Sequence, residues 1–181
     1  MGLYIGLIIV GVLLLFLIVT YNSLINSKNQ VENAFGGMDV QLKKRYDLIP
    51  NLISSVKTYM KHEADTLMEI TELRAKAVSG NLSDDEKIEL DNSITSKLGG
   101  IMVAVENYRD LKASDNFIQL QRSLNEIEEQ ISASRRTYNA QVTEYNNKVE
   151  MFPSNFVASI MNYKRKNVFE IPKESRKNVD V

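Results

Sequence analysis

From Leu3 to Thr20 the chain reads LYIGLIIVGVLLLFLIVT, apolar on every side of a helix, and the first charge is Lys28. At 1.5 Å per residue, about eighteen such residues nearly span a hydrocarbon core of about 30 Å. Tyr4 and Tyr21 bracket the run as interfacial aromatics do. A cleaved signal peptide would need a basic leading region and a small-residue cleavage site. Only Met1 and Gly2 precede the run, and TYNSLINS follows it without an A-x-A pattern. Residues 1–21 are therefore expected to be an uncleaved transmembrane anchor.

Beyond Tyr21 the apolar positions thin out to helical spacing. Leu24, Val31, Phe35, Met38 and Leu42 form one stripe, and Leu52, Val56, Met60 and Leu67 a second. Leu90, Ile94, Leu98, Ile101, Val105, Tyr108 and Leu111 form a third. The most regular is the fourth, through Phe117, Leu120, Leu124, Ile127, Ile131, Tyr138, Val142, Tyr145 and Val149. Steps of three and four with charges between them are the signature of amphipathic helices. No alternating strand pattern competes.

Local signals divide these helices. Asp47 can cap a helix whose first turn holds Pro50, where a missing N–H is harmless. That places Lys43, Lys44 and Arg45 in the last turn of the helix before, where cations suit the negative end of its dipole. The alternative for this basic triplet is a binding patch. Gly80 and Asn81 end the second helix, Ser83 to Glu86 is a capping box opening the third, Ser114 or Asp115 caps the fourth, and Pro153 stops it. Short links between long helices imply antiparallel neighbours. The expected fold is all-α: a single N-terminal transmembrane helix continuing into an antiparallel up-down-up-down four-helix bundle. The bundle spans 22–152, with a short membrane-proximal helix at 153–169 and a flexible polar tail at 170–181.

Two glycine pairs, Gly36-Gly37 and Gly99-Gly100, interrupt good helix formers. They are expected either to make room for the rings of Tyr59 and Tyr138 or to supply local flexibility.

Composition adds exclusions. With 22 cations against 23 anions the chain lacks the basic excess of a dedicated nucleic-acid binder. It has no cysteine, so disulfides, thiolate metal sites and catalytic thiols are ruled out. His62 is the one histidine and sits in KHEAD, which is neither H-E-x-x-H nor half of a di-metal bundle motif. No phosphate-cradling glycine loop or G-x-S-x-G elbow is present. The acids Asp84, Asp85, Glu86 and Glu89 lack EF-hand spacing, and Asn81-Leu82-Ser83 matches a glycosylation sequon by chance. No catalytic residue, cofactor, metal or small-molecule substrate is expected.

Several stretches together resemble the LemA family of bacterial membrane proteins: YNSLINSKNQVENAF (21–35), DVQLKKRYDLIPNLISSVKTYMKHE (39–63), AVENYRDLKAS (104–114), NFIQLQRSLNEIEEQI (116–131) and SRRTYNAQVTEYNNKVEMFPSNFVASIM (134–161). The chain departs at Gly36 and Gly37, where the family usually has polar or larger residues, and near Arg109, where it usually has proline. The resemblance implies a single-span protein of the cell membrane with its N-terminus outside and a cytoplasmic helical bundle. It implies links to membrane organisation and to neighbouring membrane proteases, and it carries over no catalytic residue.

If the fourth helix returns to the bilayer, residues 152–169 lie beside the membrane. Phe156, Ile160 and Tyr163 would share a face on a short helix capped by Ser154 or Asn155, with Val157 and Met161 widening it. Lys164, Arg165 and Lys166 follow as a basic edge suited to anionic lipid. The alternative is a plug for the open end of the bundle. Lys43, Lys44 and Arg45 would then lie at the opposite tip, available to a partner protein. The expected function is a non-enzymatic membrane scaffold or adaptor that self-associates or organises membrane proteins. The alternative is an accessory regulatory subunit of a membrane enzyme such as a protease.

Overall fold

The structure, a computed structural model, describes residues 1–80 and 82–169. The expected flexible tail, 170–181, and Asn81 lie outside the described residues. Among the described residues the protein is all-helical, with no strand. Its helices are α1 (Gly2–Val56), α2 (Ala64–Val78), α3 (Asp84–Val105), α4 (Arg109–Lys112), α5 (Asp115–Glu150) and α6 (Ser154–Ile160), with one 3-10 turn at Lys61–Glu63. The start of α1 is long and apolar enough to cross a membrane, and none of its 18-residue apolar window is buried.

The chain forms two compact units. The first comprises residues 1–36 and 136–168. At its centre Leu24 packs with Val157 and Ala158, and Val149, Met161 and Tyr163 close around them. Phe35 meets Tyr138 edge-on, with centroids 5.6 Å apart. Lys148 donates a 2.5 Å hydrogen bond to Ser27.

The second unit comprises residues 37–135 together with Phe169. Met38, Leu42, Ile49, Leu52 and Val56 of α1 are buried there, as are Leu67 and Ile70 of α2, Ile94 and Ile101 of α3, and Phe117 and Leu124 of α5. Burying an aliphatic side chain of this size contributes roughly 1.5–3 kcal/mol before entropy is counted. Ser83 caps α3 through a complete capping box with Glu86, as its S-x-x-E spacing predicts. Gly80 adopts φ +79° just past α2, the left-handed position at which a helix is commonly closed by glycine.

The break expected at Asp47–Pro50 is absent. α1 runs through it to Val56, with Pro50 inside the helix and Asp47 exposed. A proline at this position removes the N–H that would bond the carbonyl four residues earlier, that of Tyr46. Arg74 of α2 replaces it, its Nε–H donating to the Tyr46 carbonyl at 2.9 Å. A donor distant in sequence thus completes the helix, and no local pattern could announce it. The chain turns instead at Lys57–Met60, where Met60 is fully buried and its N–H bonds Val56. The third stripe is likewise interrupted after Val105. There Tyr108 donates to Glu63 at 2.9 Å, tying this turn to the 3-10 turn.

The glycine pairs do not make room for tyrosine. A β-carbon added at Gly36, Gly37, Gly99 or Gly100 would meet nothing within 4 Å. Tyr59 is exposed, and the neighbour of Tyr138 is Phe35.

Candidate functional site

In the first unit the chain continues past α5 through Pro153 into α6. The N-cap position is Pro153, without a side-chain cap, rather than Ser154 or Asn155. Ser154 instead donates to the Met151 carbonyl at 2.9 Å. α6 ends in a double-bonded reversal: Asn162 takes φ +54°, its N–H bonds the Ser159 carbonyl, and the Tyr163 N–H bonds the Ala158 carbonyl. This is the Schellman arrangement, with asparagine in the left-handed place usually held by glycine.

The reversal corrects the expected lipid-facing set. Phe156 and Ile160 share an exposed face, 67% and 71% accessible. Tyr163 does not join them, because the helix has ended and the three-residue step no longer conserves the face. Its ring turns inward against Tyr145, at 6.4 Å between centroids, beneath the Lys28 ammonium at 5.9 Å. Burial raises the Tyr145 phenol above its ordinary value, and Tyr163 and Glu32 add to the rise. Val157, expected to widen the outer face, belongs to the core.

The basic edge is also rearranged. Arg165 pairs with Glu150 at 2.9 Å. The backbone of Lys166 is clamped by the buried Asn146 amide, which donates to its carbonyl and accepts from its N–H, both at 2.9 Å. Lys164 is exposed.

The second unit contains a group of charges that the hydrophobic stripes conceal. Arg45, placed by sequence at an accessible tip, is 1% accessible. It bonds the Asp91 carboxylate and, at 2.8 and 3.0 Å, Thr95 and Glu128. The other oxygen of Asp91 takes Arg135. One fully buried carboxylate thus bridges guanidinium groups from α1 and α5. Burial lowers the Arg45 value below the ordinary arginine range, while Glu128 pulls the other way; Arg135 is lowered by burial with the same opposition. Lys43 and Lys44 remain exposed.

A signal for this cluster existed. Arg45 sits three residues after Leu42 and four before Ile49, and Asp91 midway between Ile88 and Ile94. Opposite charges thus occupy inner positions on two different stripes. Beside them opens a hollow of about 210 Å³ lined by Arg45, Thr95, Gly99, Met102, Leu124 and Glu128. His62 is exposed on the 3-10 turn and outside this group. Among the described residues no three metal-ligating side chains come together.

The LemA family's sequence profile matches residues 34–181, most of the chain and both of these sites. The chain belongs to the LemA family. It is similar to the protein LemA of Metamycoplasma hominis, 29% identical over 159 residues, covering 88% of this chain and 73% of that protein. It is also similar to magnetosome protein MamQ 2 of Paramagnetospirillum magneticum, 22% identical over 179 residues, covering 85% of this chain. Magnetosome protein MamQ of Magnetospirillum gryphiswaldense matches at 22% over 178 residues. The chain spans 66% and 65% of the length of these two magnetosome relatives. LemA-family membership fits an all-helical chain with an apolar N-terminal helix.

Proposed function

We propose that this LemA-family protein is a membrane-anchored scaffold or adaptor with no reaction of its own. Residues 1–21 hold it in the cell membrane with the N-terminus outside. Residues 22–152 form a cytoplasmic antiparallel four-helix bundle whose outer faces engage further copies or other membrane proteins. The carrying observation is the change of character along α1. Its apolar side chains are uncovered on all sides up to Val19, and from Leu24 only one stripe is buried. The first stretch suits lipid and the second suits a protein core with water behind it.

Contacts within the two units support the bundle topology. Ser27 meets Lys148 and Phe35 meets Tyr138 in one, so the partner number falls as the α1 number rises. In the other, Arg45 meets Asp91 and Glu128. The magnetosome relatives are named for an assembly rather than for a reaction, which favours a scaffold role. Lys43 and Lys44 are exposed cations that a partner protein would meet.

Crosslinking the full chain in native membranes, followed by mass spectrometry, tests this. Self-crosslinks or links to several membrane proteins are expected. Reproducible capture of a single membrane enzyme, with its activity altered when this chain is removed, would replace the scaffold with an accessory regulatory subunit.

A further inference from the structure

We propose that α6 and the Phe152 before it insert into the same face of the bilayer from which α1 emerges, giving the protein a second, shallow hold on lipid. This rests on the anchor reading above and fixes where, and by what chemistry, the chain meets the membrane again.

The register within the first unit carries the argument. Phe16, Val19, Thr20, Ser23 and Leu24 of α1 line one hollow of about 240 Å³ together with Lys148, Pro153 and Ser154. Phe16 and Thr20 are one turn apart, about 6 Å along the axis. The start of α6 is therefore level with the end of the apolar run and the turn that follows it. If the run is in lipid, residues 153–154 lie at the hydrocarbon boundary, the depth at which interfacial helices rest.

Orientation agrees with depth. Val157 and Ala158 face Leu24, so the opposite face of α6 points away from the unit. That face carries Phe156 and Ile160, and Phe152 just before it is 87% accessible. Three large apolar side chains together, next to an apolar span, fit a lipid surface better than water.

The charges set the kind of contact. Lys28 is paired with Glu32, Lys148 with Glu144 and Arg165 with Glu150. With these three cations compensated and Lys164 exposed beside them, apolar insertion is the principal hold on α6, and neither anionic headgroups nor low salt are required.

The chain has no cysteine, so single probes can be placed cleanly. The full chain, carrying Phe156→Cys, Leu13→Cys or Glu129→Cys labelled with an environment-sensitive fluorophore, is reconstituted in phosphatidylcholine vesicles containing nitroxide lipids. The label at 156 should be quenched at least about twofold more by a headgroup-proximal nitroxide than by a deep one. The label at 13 should show the reverse preference, and that at 129 little quenching. The result at 156 should be unchanged by 1 M salt or added anionic lipid. Quenching at 13 without quenching at 156 overturns the inference and leaves the anchor standing. Absence of lipid quenching at the labelled 156, together with disulfide formation between copies of the unlabelled Phe156→Cys chain under mild oxidation, overturns it in favour of a second copy on this face. Absence of quenching at 13 overturns the anchor, and the inference with it.

Discussion

In the first unit, Leu24 meets Val157 and Ala158, and Phe35 meets Tyr138; in the second, the inner positions of the stripes include Arg45, Asp91 and Arg135. Both units are built from amphipathic helices with apolar cores, and the second adds to its core a buried cluster of charges. Apolar contact is tolerant: one methylene more or less shifts the energy by a fraction of the whole. A buried carboxylate shared by two guanidinium groups is not tolerant, because each charge is acceptable there only while its partners remain. The comparison predicts that the second unit is specified more sharply, and more fragile to single changes, than the first.

Asp91→Asn is the most damaging test of that comparison. It leaves Arg45 and Arg135 in place without their shared anion. Breaking a buried pair from one side typically costs about 3–5 kcal/mol. Thermal unfolding of the full chain in detergent, followed by circular dichroism, should show a fall in Tm larger than any apolar truncation at Val157 produces. Replacing all three together, Arg45→Met with Asp91→Leu and Arg135→Met, should recover most of the loss, since no buried charge is then stranded and Glu128, with 43% of its side chain exposed, turns to water. A loss below about 1 kcal/mol for Asp91→Asn would mean that the cluster is not what holds these helices together.

How legible all this was in the sequence follows the same division. The apolar run, the capping box at Ser83 and the end of α5 just before Pro153 are properties of neighbouring residues and appear in the structure, whereas the second stripe is broken at Lys57–Met60 and the third after Val105. The helix boundary at Asp47–Pro50 was misplaced because proline was weighed by its local effect alone, whereas Arg74 supplies the missing donor from α2. Arg45 reads from sequence as part of a helix-end triplet at an accessible tip, because Asp47 and Pro50 announce a boundary that the structure does not have. Its position between Leu42 and Ile49 said otherwise, but only the matching position of Asp91 on another stripe gives that meaning. Tyr163 was placed with Ile160 by helical spacing that ends at the Asn162 reversal. Each miss concerns a contact between residues far apart in the chain, or a backbone reversal that spacing rules ignore.

The Pro50 repair yields a second test, of intermediate size. Arg74→Met removes the donor to the Tyr46 carbonyl and should cost about 1–2 kcal/mol, the usual penalty for stranding a partly buried carbonyl. Pro50→Ala restores the helix's own N–H to that carbonyl. In a Pro50→Ala background, Arg74→Met should therefore cost measurably less, and the double-mutant cycle should give a coupling of at least about 0.5 kcal/mol. Strict additivity would show that Arg74 and Pro50 act independently and that the unbroken helix has another cause.

The smallest effects concern the glycines, and here the two units should behave alike. Gly36 lies in the first and Gly99 in the second, both helical, exposed and with open space where a β-carbon would go. Nothing packs against them, so only the backbone term remains. Alanine restricts the unfolded chain and favours the helix by up to about 1 kcal/mol. Gly36→Ala and Gly99→Ala should each raise Tm by a few degrees. A fall at either would mean that something outside the described contacts needs the missing side chain. At Gly99 the hollow beside Arg45 is the place to look, because a methyl there would narrow it without touching the charges that line its wall.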